Sequence, residues 1–177
     1  MVGEFSSREL RFRFEPLEKN HDRAAFSCEH ERLNKYLKEQ ASQEVRKRVS
    51  AVYVLTPDGR TIAGYYTLSQ YAVDAGELPA EVARKLHVPK YEKLPATLLG
   101  RLARSVEFKG MGIGELLLIG ALKRAIEHSR NIPSLAVVVD AKDEKARVFY
   151  KAYGFLDLPG HANRLFIPMR TVEQLFP

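Results

Sequence analysis

The spacing of apolar residues in the first part of the chain predicts a strand, a helical region and a hairpin. Apolar residues alternate with arginines from Leu10 to Phe14, which predicts a strand. Residues 21–48 are predicted to be mostly helical, because Leu33, Leu37, Ala41 and Val45 recur every four positions and form one apolar stripe. A Pro-Asp-Gly-Arg turn sequence at 57–60 separates two apolar runs, and together they predict a hairpin over residues 50–73.

The rest of the chain is predicted to alternate between helices and strands. Gly100 lies inside a predicted strand, where it marks either a bulge or a close backbone approach. The order of elements predicts an α/β protein with a mixed sheet and helices on both faces. No linker divides the sequence, so we expect one domain over residues 1–177, with its core at about 10–170. The predicted helices are 79–86, 115–130 and 143–153, the last closed by Gly154, and the predicted strands are 97–106, 134–141, 155–158 and 164–169.

Composition narrows the class of protein. Hydrophobic residues make up 45% and charged residues 28% of the 177 positions, which excludes a globally disordered chain. Cys28 is the only cysteine, so an internal disulfide and a multi-cysteine metal site are excluded, and no metal site is expected. We interpret Cys28 as a small buried residue. No apolar run reaches membrane-spanning length and no signal peptide is evident, so we expect a soluble cytoplasmic protein without a membrane partner.

The positive charge is concentrated in two stretches. The chain has 28 Lys and Arg against 22 Asp and Glu, a net charge of +6. Residues 84–109 hold seven basic and two acidic residues, and residues 32–48 hold six basic and two acidic residues. The remainder is therefore slightly acidic. These stretches either bind a polyanion through its phosphates or are solvated helix faces, and the sequence leaves both interpretations open.

A glycine-rich segment, Lys-Gly-Met-Gly-Ile-Gly at 109–114, lies between a predicted strand and a predicted helix. Glycines let the backbone turn tightly, and the first turn of a helix carries free N–H groups and the positive end of the dipole. Together they predict a pyrophosphate cradle, with a plain strand-to-helix turn as the alternative. The glycine spacing differs from the dinucleotide-binding fingerprint, and a P-loop is excluded because no Gly-Lys-Ser/Thr follows.

The glycine-rich segment and a second motif downstream of it resemble two motifs of the GNAT superfamily of acetyl-CoA-dependent N-acetyltransferases. Lys109-x-x-Gly112-x-Gly114 is similar to the Arg/Gln-x-x-Gly-x-Gly/Ala signature of that superfamily, with lysine in place of the usual arginine or glutamine. Residues 146–155 resemble its downstream A-x-x-F-Y-x-x-x-G-F stretch. The resemblance implies the GNAT acyltransferase fold, in which a central mixed sheet is splayed around acetyl-CoA.

Four further segments, at 21–41, 62–69, 94–105 and 164–169, resemble the GNAT toxins of type II toxin–antitoxin modules. Members of that branch acetylate the α-amine of aminoacyl-tRNA and block translation, and a ribbon-helix-helix antitoxin neutralises them. The resemblance therefore implies aminoacyl-tRNA as substrate, such an antitoxin as partner, and a homodimer. Two positions depart from this branch, because Glu29 stands where glycine is frequent and Asp143 where asparagine is frequent.

The resemblance also implies which residues form the site. It assigns Tyr150 as the general acid that protonates the leaving thiolate, although spacing alone favours a core aromatic, and Tyr153 is the alternative acid. No general base is evident in the sequence. The residues expected at the cofactor are Leu102, Ala103 and Arg104 along the pantetheine arm, Lys109, Gly110, Met111, Gly112, Ile113, Gly114 and Glu115 at the pyrophosphate, and Asp143 and Phe149. Those expected at tRNA are Arg46, Lys47, Arg48, Lys93 and Arg101.

Two other functions remain open on the sequence. The first is a GNAT enzyme that acetylates a small-molecule or protein amine. The second is a catalytically silent GNAT fold that binds acetyl-CoA or a protein partner. The hairpin tyrosines, Tyr65 and Tyr66, are likewise open, because they either stack on a terminal base or pack in the core.

Overall fold

Seven strands form one sheet within residues 11–177, the part of the chain that this computed structural model describes. The strands are β1 (Arg13–Pro16), β2 (Ala51–Thr56), β3 (Gly64–Asp74), β4 (Lys93–Arg104), β5 (Ala136–Asp140), β6 (Leu156–Asp157) and β7 (Arg164–Pro168). Their order across the sheet is β1-β2-β3-β4-β5-β7-β6. Strands β4 and β5 pair in parallel and the other neighbours pair antiparallel, so the predicted mixed sheet is confirmed. Leu10 of the predicted first strand lies outside the described residues.

The helices are α1 (Glu31–Lys35), α2 (Ala41–Arg46), α3 (Ala80–Lys85), α4 (Ile113–Ser129), α5 (Glu144–Ala152) and α6 (Met169–Leu175). A π-helical turn over Tyr36–Gln40 joins α1 to α2. The helix predicted from position 21 therefore begins ten positions later, because Phe26 and Cys28 are buried from a loop rather than from a helix face. Helix α6 was not predicted, since its buried side chains, Met169 and Val172, span a single turn.

Strand β4 changes partners along its length. Its register with β3 shifts between Thr67 and Leu68, opposite Gly100, so the bulge interpretation of this glycine is confirmed. Its parallel pairing with β5 covers only residues 97–99, which face residues 137–139. Beyond Leu99, strands β4 and β5 separate, and the sheet opens on the side where β4 ends.

The core occupies both faces of the sheet. Helix α4 buries one side, including Leu117 and Leu118, against the face that carries Tyr66. Tyr65 points to the opposite face, where it packs with Phe26 and Tyr36. Both hairpin tyrosines are fully buried, so a role as a base-stacking platform is excluded for them. None of the helices in residues 11–177 is long and apolar enough to cross a membrane.

Candidate active site

A cleft of about 200 Å³ lies where β4 ends and β5 continues into α5. Four segments supply its walls: the loop before α1, the end of β4, the start of α4, and the segment that leads into and along α5. The predicted residues that line it are Leu102, Arg104, Gly114, Asp143, Phe149 and Tyr150. The lining residues that sequence reasoning did not assign to the site are Cys28, Glu29, His30, Lys142, Lys145 and Ala146.

The glycine-rich loop leads into the first turn of α4. Gly112 precedes this helix with a φ of 71°, a left-handed conformation that glycine adopts without strain. Gly114 lies inside the first turn, and a Cβ built there would meet nothing within 4 Å. The helix surface at Gly114 is therefore open. It lies beside the N–H groups of the first turn, which have no carbonyl partner within the helix. A phosphate group can approach the helix backbone closely at this point.

Tyr150 lies on α5 at the inner end of the cleft. The side chain is buried, and its ring centroid lies 5.3 Å from that of Phe149 and 5.3 Å from that of Phe155. Burial raises the pKa of the Tyr150 phenol well above its ordinary value, and the negative charge of Asp143 raises it further. The hydroxyl is therefore protonated throughout the neutral range and is a donor, as a general acid requires.

Tyr153, the alternative acid, faces a different group. Its ring packs on Phe149 at 5.3 Å, and a hydrogen bond with the carboxylate of Glu115, second to burial, raises the pKa of its phenol. Tyr153 is not among the residues that line the cleft. The geometry therefore favours Tyr150 as the acid.

Asp143 connects α5 to the loop across the cleft. Its Oδ1 accepts a hydrogen bond of 2.7 Å from the backbone N–H of Ala146, which caps the N-terminus of α5. Its Oδ2 lies 3.8 Å from Nε2 of His30. The aspartate thus keeps the capping role that asparagine could also fill, and it adds a negative charge facing an imidazole.

The loop before α1 is held by the buried side chain of Asn34. The N–H of Cys28 donates to Asn34 Oδ1 at 2.7 Å, and Asn34 Nδ2 donates back to the Cys28 carbonyl at 3.1 Å. The Val106 N–H donates to the carbonyl of Ser27 at 2.9 Å, which ties the loop to the end of β4. Cys28 is buried, as predicted, and these contacts place the two residues after it in the cleft.

Charged groups surround the mouth of the cleft. Glu29 Oε1 lies 3.6 Å from Arg104 Nη2 and 3.6 Å from Lys109 Nζ. Lys142 and Lys145 are exposed on the α5 side of the cleft. Cations on both sides of the cleft suit a ligand that carries several phosphates. Glu29 lies between two of these cations, Arg104 and Lys109.

The remaining residues predicted at the cofactor lie around the cleft rather than in its wall. The side chains of Ala103 and Ile113 are buried in the core, so only their backbone groups are available to a ligand. Met111 and Glu115 are exposed on the rim, as are the loop glycines Gly110 and Gly112.

The residues predicted at tRNA fall into two groups. Arg46, Lys47 and Arg48 are exposed together at the end of α2. Arg101 lies over the ring of Tyr36 at 3.5 Å, with Glu44 3.9 Å away. Lys93 forms a 2.7 Å ion pair with Asp74 at the start of β4, roughly 30 Å from the cleft at about 3.3 Å per residue.

Within residues 11–177, no group of three or more His, Cys, Asp or Glu side chains could hold a metal ion. The cleft is lined by proton donors, proton acceptors and cations. The described cleft can hold an extended polyphosphate ligand and can deliver a proton from Tyr150.

The Acetyltransferase (GNAT) family matches residues 14–155 of the sequence, which include every element of the cleft. The chain belongs to this family. As a GNAT acetyltransferase it is an enzyme that transfers an acetyl group. The matched part of the chain therefore includes the point where β4 separates from β5 and the glycine-rich start of α4.

Two curated relatives of this GNAT protein cover most of its length. A protein named Probable toxin TacT from Sinorhizobium fredii (strain NBRC 101917 / NGR234) is 30% identical over 91% of this chain and 93% of its own length. A protein named tRNA-acetylating toxin from Mycobacterium tuberculosis (strain ATCC 25618 / H37Rv) is 30% identical over 87% of this chain and 90% of its own.

Two solved structures are similar to this GNAT protein over nearly the whole fold. AtaT complexed with acetyl-methionyl-tRNAfMet is 31% identical with a TM-score of 0.86, covering 94% of this chain and 100% of the other. A tyrosine-to-phenylalanine mutant of the AtaT toxin, bound to the C-terminus of the antitoxin AtaR and to acetyl-CoA, is 29% identical with a TM-score of 0.78. It covers 94% of this chain and 98% of the other.

Proposed function

We propose that this GNAT enzyme transfers the acetyl group of acetyl-CoA directly to the α-amine of an aminoacyl-tRNA and so blocks translation as a toxin. The observation that carries the proposal is the cleft itself, where a buried, protonated Tyr150 faces the open start of α4 at Gly114. The relatives support the substrate class, since one is named a tRNA-acetylating toxin and another holds an acetylated aminoacyl-tRNA.

The residues present fit acetyl-CoA. Backbone groups of Leu102, Ala103 and Arg104 lie where β4 has left β5, so this edge is open to an amide-bearing arm such as pantetheine. The pyrophosphate would meet the N–H groups from Gly110 to Glu115, and this interaction needs the empty space beside Gly114. Lys109, Lys142 and Lys145 supply positive charge on both sides of the same cleft.

Acetyl-CoA supplies an acetyl group that is activated as a thioester. When an amine attacks it, negative charge develops on the carbonyl oxygen, and a backbone N–H near Ala103 or Arg104 is placed to stabilise that charge. Tyr150 then protonates the sulfur. A phenol near pKa ~10 and a thiol near ~8.5 differ by roughly 2 kcal/mol. Burial raises the pKa of Tyr150 and so makes the phenol a weaker acid, while the same dry surroundings disfavour the free thiolate and act in the opposite direction.

A surface for tRNA is available at the end of α2. Arg46, Lys47 and Arg48 are consecutive, exposed, and form no ion pair within residues 11–177. Arg48 holds a positive φ of 57°, a conformation that costs a non-glycine residue energy. Lys93 and Arg101 are already engaged, so we assign them a smaller share of the contact.

The proposal includes the expected partners and compartment. The AtaT structure with the C-terminus of its antitoxin supports a cognate antitoxin for this chain. We expect that antitoxin to be of the ribbon-helix-helix type, the enzyme to be a homodimer, and its site of action to be the cytoplasm, where charged tRNA is found.

A thiol-release assay tests the proposal. Purified enzyme is incubated with acetyl-CoA and one of three acceptors: aminoacylated tRNA, the same tRNA without its amino acid, or small polyamines. Release with charged tRNA alone supports the proposal. Release with polyamines alone indicates a small-molecule acetyltransferase, and release with none contradicts catalysis on these acceptors.

A charge-reversal variant adds a control within the chain. Arg46→Glu, Lys47→Glu and Arg48→Glu together should abolish transfer to charged tRNA. The variant should retain acetyl-CoA affinity, because none of the three residues lines the cleft.

A further inference from the structure

We propose that His30, oriented by Asp143, accepts the proton that the attacking amine releases. The inference rests on the proposed acetyl transfer to an amine. It concerns a residue that lies outside the two superfamily motifs at 109–114 and 146–155, and it supplies the general base that the sequence did not reveal.

The geometry places His30 and Tyr150 on the same small cleft. Both line the space of about 200 Å³, His30 from the loop before α1 and Tyr150 from α5. His30 Nε2 lies 3.8 Å from Asp143 Oδ2. The charge of Asp143 also acts on the Tyr150 phenol, which places the carboxylate near both the imidazole and the acid. An acceptor and a donor thus line the same cleft.

Asp143 is well placed to orient the imidazole. Its Oδ1 is fixed by the 2.7 Å hydrogen bond from the Ala146 N–H, so the free Oδ2 faces His30 from a rigid position. The 3.8 Å separation is longer than a direct hydrogen bond, but the nearby negative charge favours the tautomer that carries its proton on Nε2, which leaves Nδ1 as the acceptor. Asp143 is therefore a positioning residue, and His30 is the residue that touches the substrate.

The other groups on the cleft are less suited to accept a proton. The Glu29 carboxylate lies between Arg104 and Lys109, 3.6 Å from each. The Cys28 thiol is buried and donates to the His30 carbonyl at 3.3 Å. Lys142 and Lys145 are cations, and Tyr150 serves as the acid. The His30 side chain is 38% exposed, so it can return its proton to solvent after each turnover.

The step is balanced as follows. The nitrogen of the neutral amine forms a bond to the acetyl carbon, and the carbon–sulfur bond breaks. The nitrogen loses one proton to Nδ1 of His30, and the sulfur gains one proton from the Tyr150 hydroxyl. Water then carries a proton from the imidazolium to the phenolate, which restores both groups without any other reactant.

Three variants of the full-length enzyme test the proposal with acetyl-CoA and a pool of aminoacylated tRNA. His30→Gln should lower kcat about 10²-fold at neutral pH while the KM for acetyl-CoA changes little. Its deficit should shrink as pH rises, because hydroxide replaces the missing acceptor, and added imidazole should partly restore His30→Ala. Asp143→Asn keeps the cap on α5 and the His30 acceptor but removes the charge, so we expect a smaller loss of kcat, about 10-fold.

A matched control is available outside the cleft. His161 also pairs with a carboxylate, that of Glu77 at 2.9 Å, and His161→Gln should leave kcat and the pH profile unchanged. Wild-type kcat in His30→Gln would overturn the proposal, as would a deficit that is independent of pH and not restored by imidazole. If the wild-type enzyme transfers acetyl to no amine, the proposed function itself fails, and that result is visible before any variant is compared.

Discussion

Glu29 Oε1 lies 3.6 Å from the Nζ of Lys109, across the mouth of the cleft. The same carboxylate oxygen lies 3.6 Å from Arg104, so it bridges two cations that would otherwise face the phosphates of acetyl-CoA. GNAT toxins frequently have glycine at this position. In this chain a phosphate must therefore compete with a carboxylate for the same positive charges.

Removing that carboxylate charge should strengthen cofactor binding. We expect Glu29→Gln to lower the Kd for coenzyme A about 2–5-fold, a modest effect because the ion pairs are partly exposed and screened. Glu81→Gln is the control, since it removes an equal charge from an exposed pair with Lys85 on α3. Titration calorimetry measures both. Weaker binding in Glu29→Gln would show that Glu29 assists the cofactor instead.

The open space beside Gly114 should admit the pyrophosphate. Gly114→Leu puts a branched side chain where a phosphate would approach, so we expect affinity for coenzyme A to fall at least about 10-fold. Alanine also occurs at this position of the GNAT signature, so Gly114→Ala should change the affinity little. Both changes favour the helix by about 1 kcal/mol, so the melting temperature should hold or rise. Gly76→Leu, where an added Cβ also meets nothing within 4 Å, should leave the affinity unchanged. Unchanged affinity in Gly114→Leu would place the phosphates elsewhere.

Tyr150→Phe should lower kcat about 10²–10⁴-fold with little change in cofactor affinity. Because burial raises the pKa of Tyr150, its protonated form persists to higher pH than for a free phenol. The wild-type rate should therefore show no loss from phenol ionisation below about pH 10. Tyr153→Phe is the comparison variant and should remain active. A rate–pH profile for the three enzymes measures these effects, and a Tyr150→Phe enzyme as active as wild type would remove Tyr150 from the mechanism.

Arg48 should contribute to tRNA binding at a cost in stability. Its φ of 57° is strained for a non-glycine residue, so Arg48→Gly should raise the free energy of unfolding by about 1 kcal/mol. The same variant should bind tRNA more weakly and with a shallower salt dependence, because a phosphate contact is lost. His87 has a similar φ of 50°, and His87→Gly should stabilise the protein without affecting tRNA. Equal tRNA affinity in both variants would argue for a solvated helix end at Arg48.

The sequence predicted the parts of the site that are local. The glycine-rich loop lies in a short motif whose spacing places it at the start of α4. Tyr150 lies in a second short motif, which places it on α5. Gly100 was predicted to mark either a bulge or a close backbone approach, and the register shift opposite it shows the bulge. These features depend on neighbours within a few positions.

The parts that the sequence did not predict depend on distant contacts. His30 meets Asp143 only because Asn34 and the end of β4 hold the loop before α1 against the cleft. The helical pattern was also extended too far towards the N-terminus, since buried loop residues such as Phe26 mimic a helix stripe. Lys142 and Lys145 carry no distinguishing pattern, so only the fold places them at the cleft.

The identity of the product tests the central claim most directly. Aminoacylated tRNA is treated with the enzyme and acetyl-CoA and digested with ribonuclease, and the 3′-terminal aminoacyl-adenosines are measured by mass spectrometry. The account predicts one acetyl group on the α-amine of the amino acid, in a yield that falls with Tyr150→Phe. Unmodified aminoacyl-adenosine, in a reaction where the enzyme acetylates another amine, would contradict it.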